Sequence, residues 1–139
     1  MYCLDSSVII GIFRGDKGLI KKISGISPDG IFFTELTLCE LFKGAYKSAQ
    51  KEKSLELIHE FSRNYNVIGL SIESCEAFGM DFNVLAKAGK QTQEFDLMTA
   101  VIAKQNNLIL VTRKSQMTPK ASIGLRHFEN IPNLKLEEW

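Results

Sequence analysis

Four consecutive apolar residues, Leu108-Ile109-Leu110-Val111, stand between Asn106-Asn107 and Thr112-Arg113-Lys114. A strand with no polar side chain must be covered on both faces, the condition of a parallel sheet packed between helices. The preceding stretch, Phe95 to Gln105, places Leu97, Met98, Ala100, Val101, Ile102 and Ala103 at helical spacing with few polar residues. Such a helix is buried on most sides. A buried helix leading into a doubly buried strand commits the chain to an α/β layout.

The rest of the chain keeps that alternation. Met1 to Leu4 reads as a short buried strand, followed by a turn at Asp5 and a helix from Ser7 to Phe13. Arg14-Gly15-Asp16 breaks the helix, Lys17 to Ile23 forms a small amphipathic piece, and Ile31-Phe32-Phe33 is the second strand. A helix from Leu38 to about Ala49 follows, then a second arm, Glu52 to Asn64, with Leu55, Ile58, His59 and Phe61 on one face. Val67 to Leu70 is the third strand. Ser71 and Glu73 open a helix to about Lys87, with Ala77, Phe78, Phe82, Leu85 and Ala86 as its apolar stripe and Gly89 as its stop. Leu134-Lys135-Leu136 is a fifth, edge strand. The expected fold is a three-layer α/β/α arrangement around a mainly parallel sheet of four to five strands, formed as one domain over residues 1–139.

Composition excludes little. The net charge of +1 is no global signature of nucleic-acid binding, yet a local basic patch suffices for it. No apolar run approaches the roughly 18 residues of a membrane span, and no signal-peptide pattern opens the chain, so the expected setting is cytoplasmic. Cys3, Cys39 and Cys75 are odd in number and far apart, which suggests neither a disulfide framework nor a zinc motif. All three fall in apolar-periodic segments and are expected in the core.

Three acids stand out by position. Asp5 ends the first strand, Glu40 falls in the expected first turn after the second, and Asp96 opens the buried helix before the fourth. In a parallel sheet all three gather at the carboxyl edge, where ligands bind. Each also has a plainer role. Asp5 can cap the next helix, Thr37-Leu38-Cys39-Glu40 matches a capping box, and Asp96 complements a helix dipole. Gathered in a cleft, they repel one another unless a cation neutralises them. Oxygen-only ligands favour Mg²⁺ or Mn²⁺, and such sites serve phosphoryl chemistry.

The segments Leu4-Asp5-Ser6-Ser7-Val8-Ile9-Ile10, Thr37-Leu38-Cys39-Glu40-Leu41-Phe42-Lys43-Gly44-Ala45, Glu94-Phe95-Asp96-Leu97-Met98-Thr99-Ala100 and Leu110-Val111-Thr112-Arg113, with the ending His127 to Trp139, occur in a specific order and spacing. Together they resemble the PIN-domain ribonucleases, and within them the VapC toxins of toxin–antitoxin pairs. The resemblance covers essentially the whole chain. It implies a metal-dependent endoribonuclease that hydrolyses RNA through a metal-activated water, with Asp5, Glu40 and Asp96 as catalytic and metal-site acids. It also implies a homodimer and a cognate antitoxin that blocks the cleft. Thr112 would lie beside the metal, and Ser7 stands where Asn is often found.

One departure from the family pattern lies after Arg113. A fourth acid is common just before a Phe, and here His127 precedes Phe128. That favours an alternative, a catalytically weakened PIN-like module that binds RNA or a partner. A phospho-accepting receiver domain also clusters acids at strand ends, but it needs a pair near the start and an Asp after strand three, where this chain has Asp5 alone and Ser71. The basic residues Arg14, Lys43, Lys47, Arg113 and Lys114 are candidates for RNA phosphates.

Overall fold

The computed structural model describes residues 1–90, 93–113 and 128–139. Its strands are β1 (Tyr2–Leu4), β2 (Ile31–Thr34), β3 (Asn66–Ile68), β4 (Ile109–Thr112) and β5 (Leu136–Glu138). They form one five-stranded sheet in the order β3-β2-β1-β4-β5, every pair parallel. The helices between them are α1 (Ser6–Phe13), α2 (Lys17–Ser24), α3 (Glu35–Tyr46), α4 (Lys51–Asn64), α5 (Ile72–Lys87) and α6 (Glu94–Gln105).

Successive strand side chains point to opposite faces, and two cores result. Leu4, Ile31, Phe33 and Val111 join residues of α1 to α4 on one face. Cys3 and Leu110 join Leu85 of α5 and Leu97, Ala100, Val101 and Ala103 of α6 on the other. This is the expected three-layer arrangement. The chain winds outward from β1 to β3, crosses back, and continues from β4 to β5. The winding direction therefore reverses between β1 and β4. Ligands in open α/β sheets bind outside the carboxyl ends of the strands at such a reversal.

Several local expectations are corrected. Helix α3 starts at Glu35, because Thr34 is its N-cap and accepts the Thr37 N–H at 3.0 Å. Thr37 thus lies inside the first turn, no capping box forms with Glu40, and Glu40 falls in the second turn. Only Cys3 is buried; Cys39 and Cys75 are exposed, since each sits on the solvent side of its helix. Phe82 and Ala86 are likewise exposed, whereas Leu85 is buried. The hairpin arm α4 buries Ile58 and Phe61 within its own chain. Exposed large apolar side chains lie on and beside α5, at Leu70, Ile72, Met80, Phe82 and Val84. The fifth strand is an edge strand, as expected, but forms two residues later, at Leu136–Glu138.

Candidate active site

Asp5 occupies the seam where the winding reverses. Its backbone N–H extends the ladder to the Val111 carbonyl at 2.9 Å, and it then becomes the N-cap of α1. The side chain is buried and takes three hydrogen bonds, all on Oδ2. They come from the Ser7 hydroxyl at 2.7 Å, the Ser7 N–H at 3.4 Å and the Thr112 hydroxyl at 3.5 Å. The carboxylate that caps α1 is therefore also the one that stands at the reversal of the sheet. Among the described residues no hydrogen bond falls on Oδ1.

Ser7 is fixed from both sides. Its hydroxyl donates to Asp5 and accepts the Arg113 N–H at 3.2 Å, which sets the direction of its proton. The Arg113 side chain turns the other way and meets Asp16 at 2.8 Å. Asp16 is the N-cap of α2 and also accepts the Gly18 N–H at 3.0 Å and the Leu19 N–H at 3.3 Å. The Leu19 amide is the first cause that holds the Asp16 carboxyl below the usual range, with the Gly18 amide and the Arg113 guanidinium acting in the same sense. Gly11 lets this corner close, because a Cβ there would collide with the Leu19 side chain and crowd Arg113.

Glu40 and Asp96 arrive from two other helices. The starts of α3 and α6 are joined by buried hydroxyls: Thr34 lies 3.0 Å from Thr37 and 3.5 Å from Thr99. Thr34 ends β2, so α6 begins at the same carboxyl edge as Asp5. Asp96 is in the first turn of α6, one turn before Thr99. Glu40, Lys43, Gln93, Glu94 and Phe95 line one surface cleft of about 270 Å³.

The remaining basic candidates separate. Lys43 shares the Glu40 cleft, and Lys47 forms the C-cap of α3. Arg14 sits at the end of α1 opposite to Asp5 and lines a groove of about 340 Å³ between α1, α3 and α4. Arg113 is engaged with Asp16. Lys114 and His127 lie outside the described residues. Cys3 is no nucleophile: burial first, and then the Asp5 carboxylate, push its thiol up to about 12.

Among the described residues, no three His, Cys, Asp or Glu side chains are close enough together to share a metal ion. A hard cation does not need three. Mg²⁺ is usually held by one or two carboxylates, with waters and substrate phosphate completing its octahedron. Asp5, with one oxygen saturated by hydroxyls, and Asp96, in the first turn of α6, are oxygen donors of the kind such an ion takes.

The profile of the PIN domain matches residues 2–118. The chain belongs to the PIN-domain family. This PIN domain is 27% identical to ribonuclease VapC1 of Haemophilus influenzae strain R2866, over all of its own length and 98% of the relative. It is 25% identical to the tRNA(fMet)-specific endonuclease VapC of Shigella flexneri, over 99% and 97%. Its fold superposes on DNA-bound VapBC from Salmonella typhimurium with a TM-score of 0.85 at 25% identity, covering 99% and 97% of the two chains. The VapC-type likeness runs through the whole PIN domain, β5 included.

Sequence reasoning missed Asp16, Thr34 and Thr99. Asp16 was legible as a helix cap before Lys17-Gly18-Leu19, but its partner lies 97 residues away. Thr34 was legible only as one of two possible caps, and Thr99 carries no local signal, because their mutual contact joins two helices far apart in the chain.

Proposed function

We propose that this chain is a divalent-metal-dependent endoribonuclease of the VapC toxin kind, cleaving RNA phosphodiester bonds with Mg²⁺ or Mn²⁺ held by Asp5 and Asp96. The observation that supports the proposal is the seating of Asp5 at the reversal of the sheet with Oδ2 saturated, at the edge where α6 begins with Asp96 in its first turn. When bound, the cation supplies Lewis acidity at the phosphate and a more acidic water. Ser7 and Thr112 hold the Asp5 carboxylate in one orientation, which spares the site that reorganisation during reaction. Glu40 is the carboxylate suited to accept a proton from the attacking water, and Lys43 offsets phosphate charge beside it. VapC relatives named ribonucleases and tRNA endonucleases support the RNA substrate.

Incubation with total RNA tests this directly. Cleavage should need Mg²⁺ or Mn²⁺ and stop on addition of EDTA; undiminished cleavage in EDTA would reject the metal-dependent mechanism.

Two partners follow from the same reading. Solved relatives are VapBC complexes, so a cognate antitoxin is proposed here, inserting an Arg fork among the acids. An inhibitor bound away from Asp5 and Asp96 in a co-structure would refute that. A homodimer is also proposed, through the exposed apolar residues Leu70, Ile72 and Met80 and not through Phe82. Light scattering at the monomer mass of 15.6 kDa would count against it.

The weakened-module alternative is favoured by His127 in place of an acid. It predicts RNA or partner binding with no cleavage under either ion.

A further inference from the structure

Two clefts adjoin at Glu94. The first is the 270 Å³ cleft that contains Glu40, Lys43 and Phe95. The second, of about 370 Å³, lies between α5 and α6; Phe82, Lys90 and Glu94 line it, together with Leu85 and Leu97, which are buried. Each cleft has one phenylalanine left half in water, Phe95 at 49% and Phe82 at 45% exposure. Each also has one lysine. Lys90 is held at its cleft by the close of α5: Gly89 takes φ +67°, and the Lys90 N–H reaches back to the Leu85 carbonyl at 2.9 Å. That is a Schellman turn, which needs glycine or asparagine at the left-handed position.

An exposed aromatic and a lysine, repeated along a groove that begins at a candidate nuclease acid, match how proteins hold single-stranded nucleic acid. We infer that this groove is a track for single-stranded RNA leading away from the acids, with one base stacked on Phe95, a later base on Phe82, and Lys43 and Lys90 taking phosphates. The inference rests on the ribonuclease reading above. Glu94 lines both clefts. A carboxylate there repels phosphate and accepts hydrogen bonds from base amino groups, so the strand lies with its bases inward. Stacking is tolerant of sequence because every base has a π-face. Phe95 would act on whichever nucleotide flanks the scissile bond. A duplex does not suit the groove, since its bases are already stacked on one another.

The test is fluorescence anisotropy with labelled random-sequence RNA, in an Asp5→Asn background that keeps the strand intact. Oligomers of about 4 and about 12 nucleotides span the usual range of single-strand sites. Phe95→Ala should weaken both roughly 10-fold, the loss expected from one stacked base. Phe82→Ala should weaken only the longer one, and Phe95→Trp should bind like the parent. Both rings are exposed, so the variants should fold. Unchanged RNA affinity in both alanine variants would overturn the track. So would unchanged affinity with a changed light-scattering mass, which would make the face a contact between protein chains. The parental chain is assayed for cleavage in parallel. Normal cleavage with unaltered affinities defeats the track alone, whereas absent cleavage with Phe95-dependent binding defeats the ribonuclease reading and leaves the track standing.

Discussion

The Asp16 carboxylate and the Arg113 guanidinium meet at 2.8 Å across 97 residues of chain. This pair joins the corner between α1 and α2 to the end of β4. Because the Arg113 amide also bonds Ser7, the pair braces the backbone that orients Asp5. Arg113 therefore works as a strut, and its charge is already answered before any phosphate arrives.

Asp16→Asn keeps the shape but removes the charge, and should lower Tm at neutral pH. The Asp16 carboxyl is held below its ordinary range, so the folded state binds its proton less readily than the unfolded state. The stabilisation is complete above the ordinary aspartate pKa of about 3.9. It is lost as pH falls through the lowered folded value. The Tm gap between parent and variant should accordingly be constant from neutral pH to about pH 5 and close in stronger acid. A gap that widens in acid would contradict the sign of the shift.

Asp5→Asn and Asp96→Asn should each reduce RNA cleavage by about two orders of magnitude or more, as removal of a preorganised charged group does. Neither should change the far-ultraviolet circular dichroism. Asn retains an oxygen that can accept from Ser7, so the cap of α1 survives. Robust cleavage by either variant would reject the assignment of these acids.

Ser7→Ala removes the donor to Asp5 and the acceptor for Arg113 together. It should lower kcat by roughly 10-fold with little change in KM, because the hydroxyl orients the acid and does not meet substrate. Ser7→Thr should restore most of the loss. Equal falls in both variants would point to packing.

Much of this was legible in the chain because the signals are local. The run Leu108 to Val111 reads as a doubly covered strand, which forms one residue later, at Ile109–Thr112, and Asp5 reads as ending a strand, with a helix cap as its plainer role. The sequence leaves the boundary of α3 open, because Thr34 and Thr37 are both able to cap. The choice fell to Thr34, whose hydroxyl is buried against Thr99 of a helix 65 residues away. Cys39 and Cys75, expected in the core, are exposed for a related reason. Periodicity identifies the apolar face of a helix but not how much of that face a neighbour covers.

The threonine contact itself gives the last prediction. Thr34, Thr37 and Thr99 are all buried, and Thr34 bonds the Thr37 amide while touching both other hydroxyls. Thr34→Ala deletes the N-cap of α3 and should cost about 1–2 kcal/mol, at the upper end for caps because the amide has no water to turn to. Thr99→Val keeps the volume and the Thr34 cap, so it should cost less. It removes the only polar tie between Thr34 and the α6 turn that carries Asp96 among the described contacts of Thr99. If that tie sets the distance between Glu40 and Asp96, Thr99→Val should weaken Mn²⁺ binding, read by calorimetry, by more than its effect on Tm suggests. Chemical denaturation and calorimetry on the same three proteins separate the two effects. A Thr99→Val protein that binds Mn²⁺ like the parent would reduce the threonines to a purely structural role.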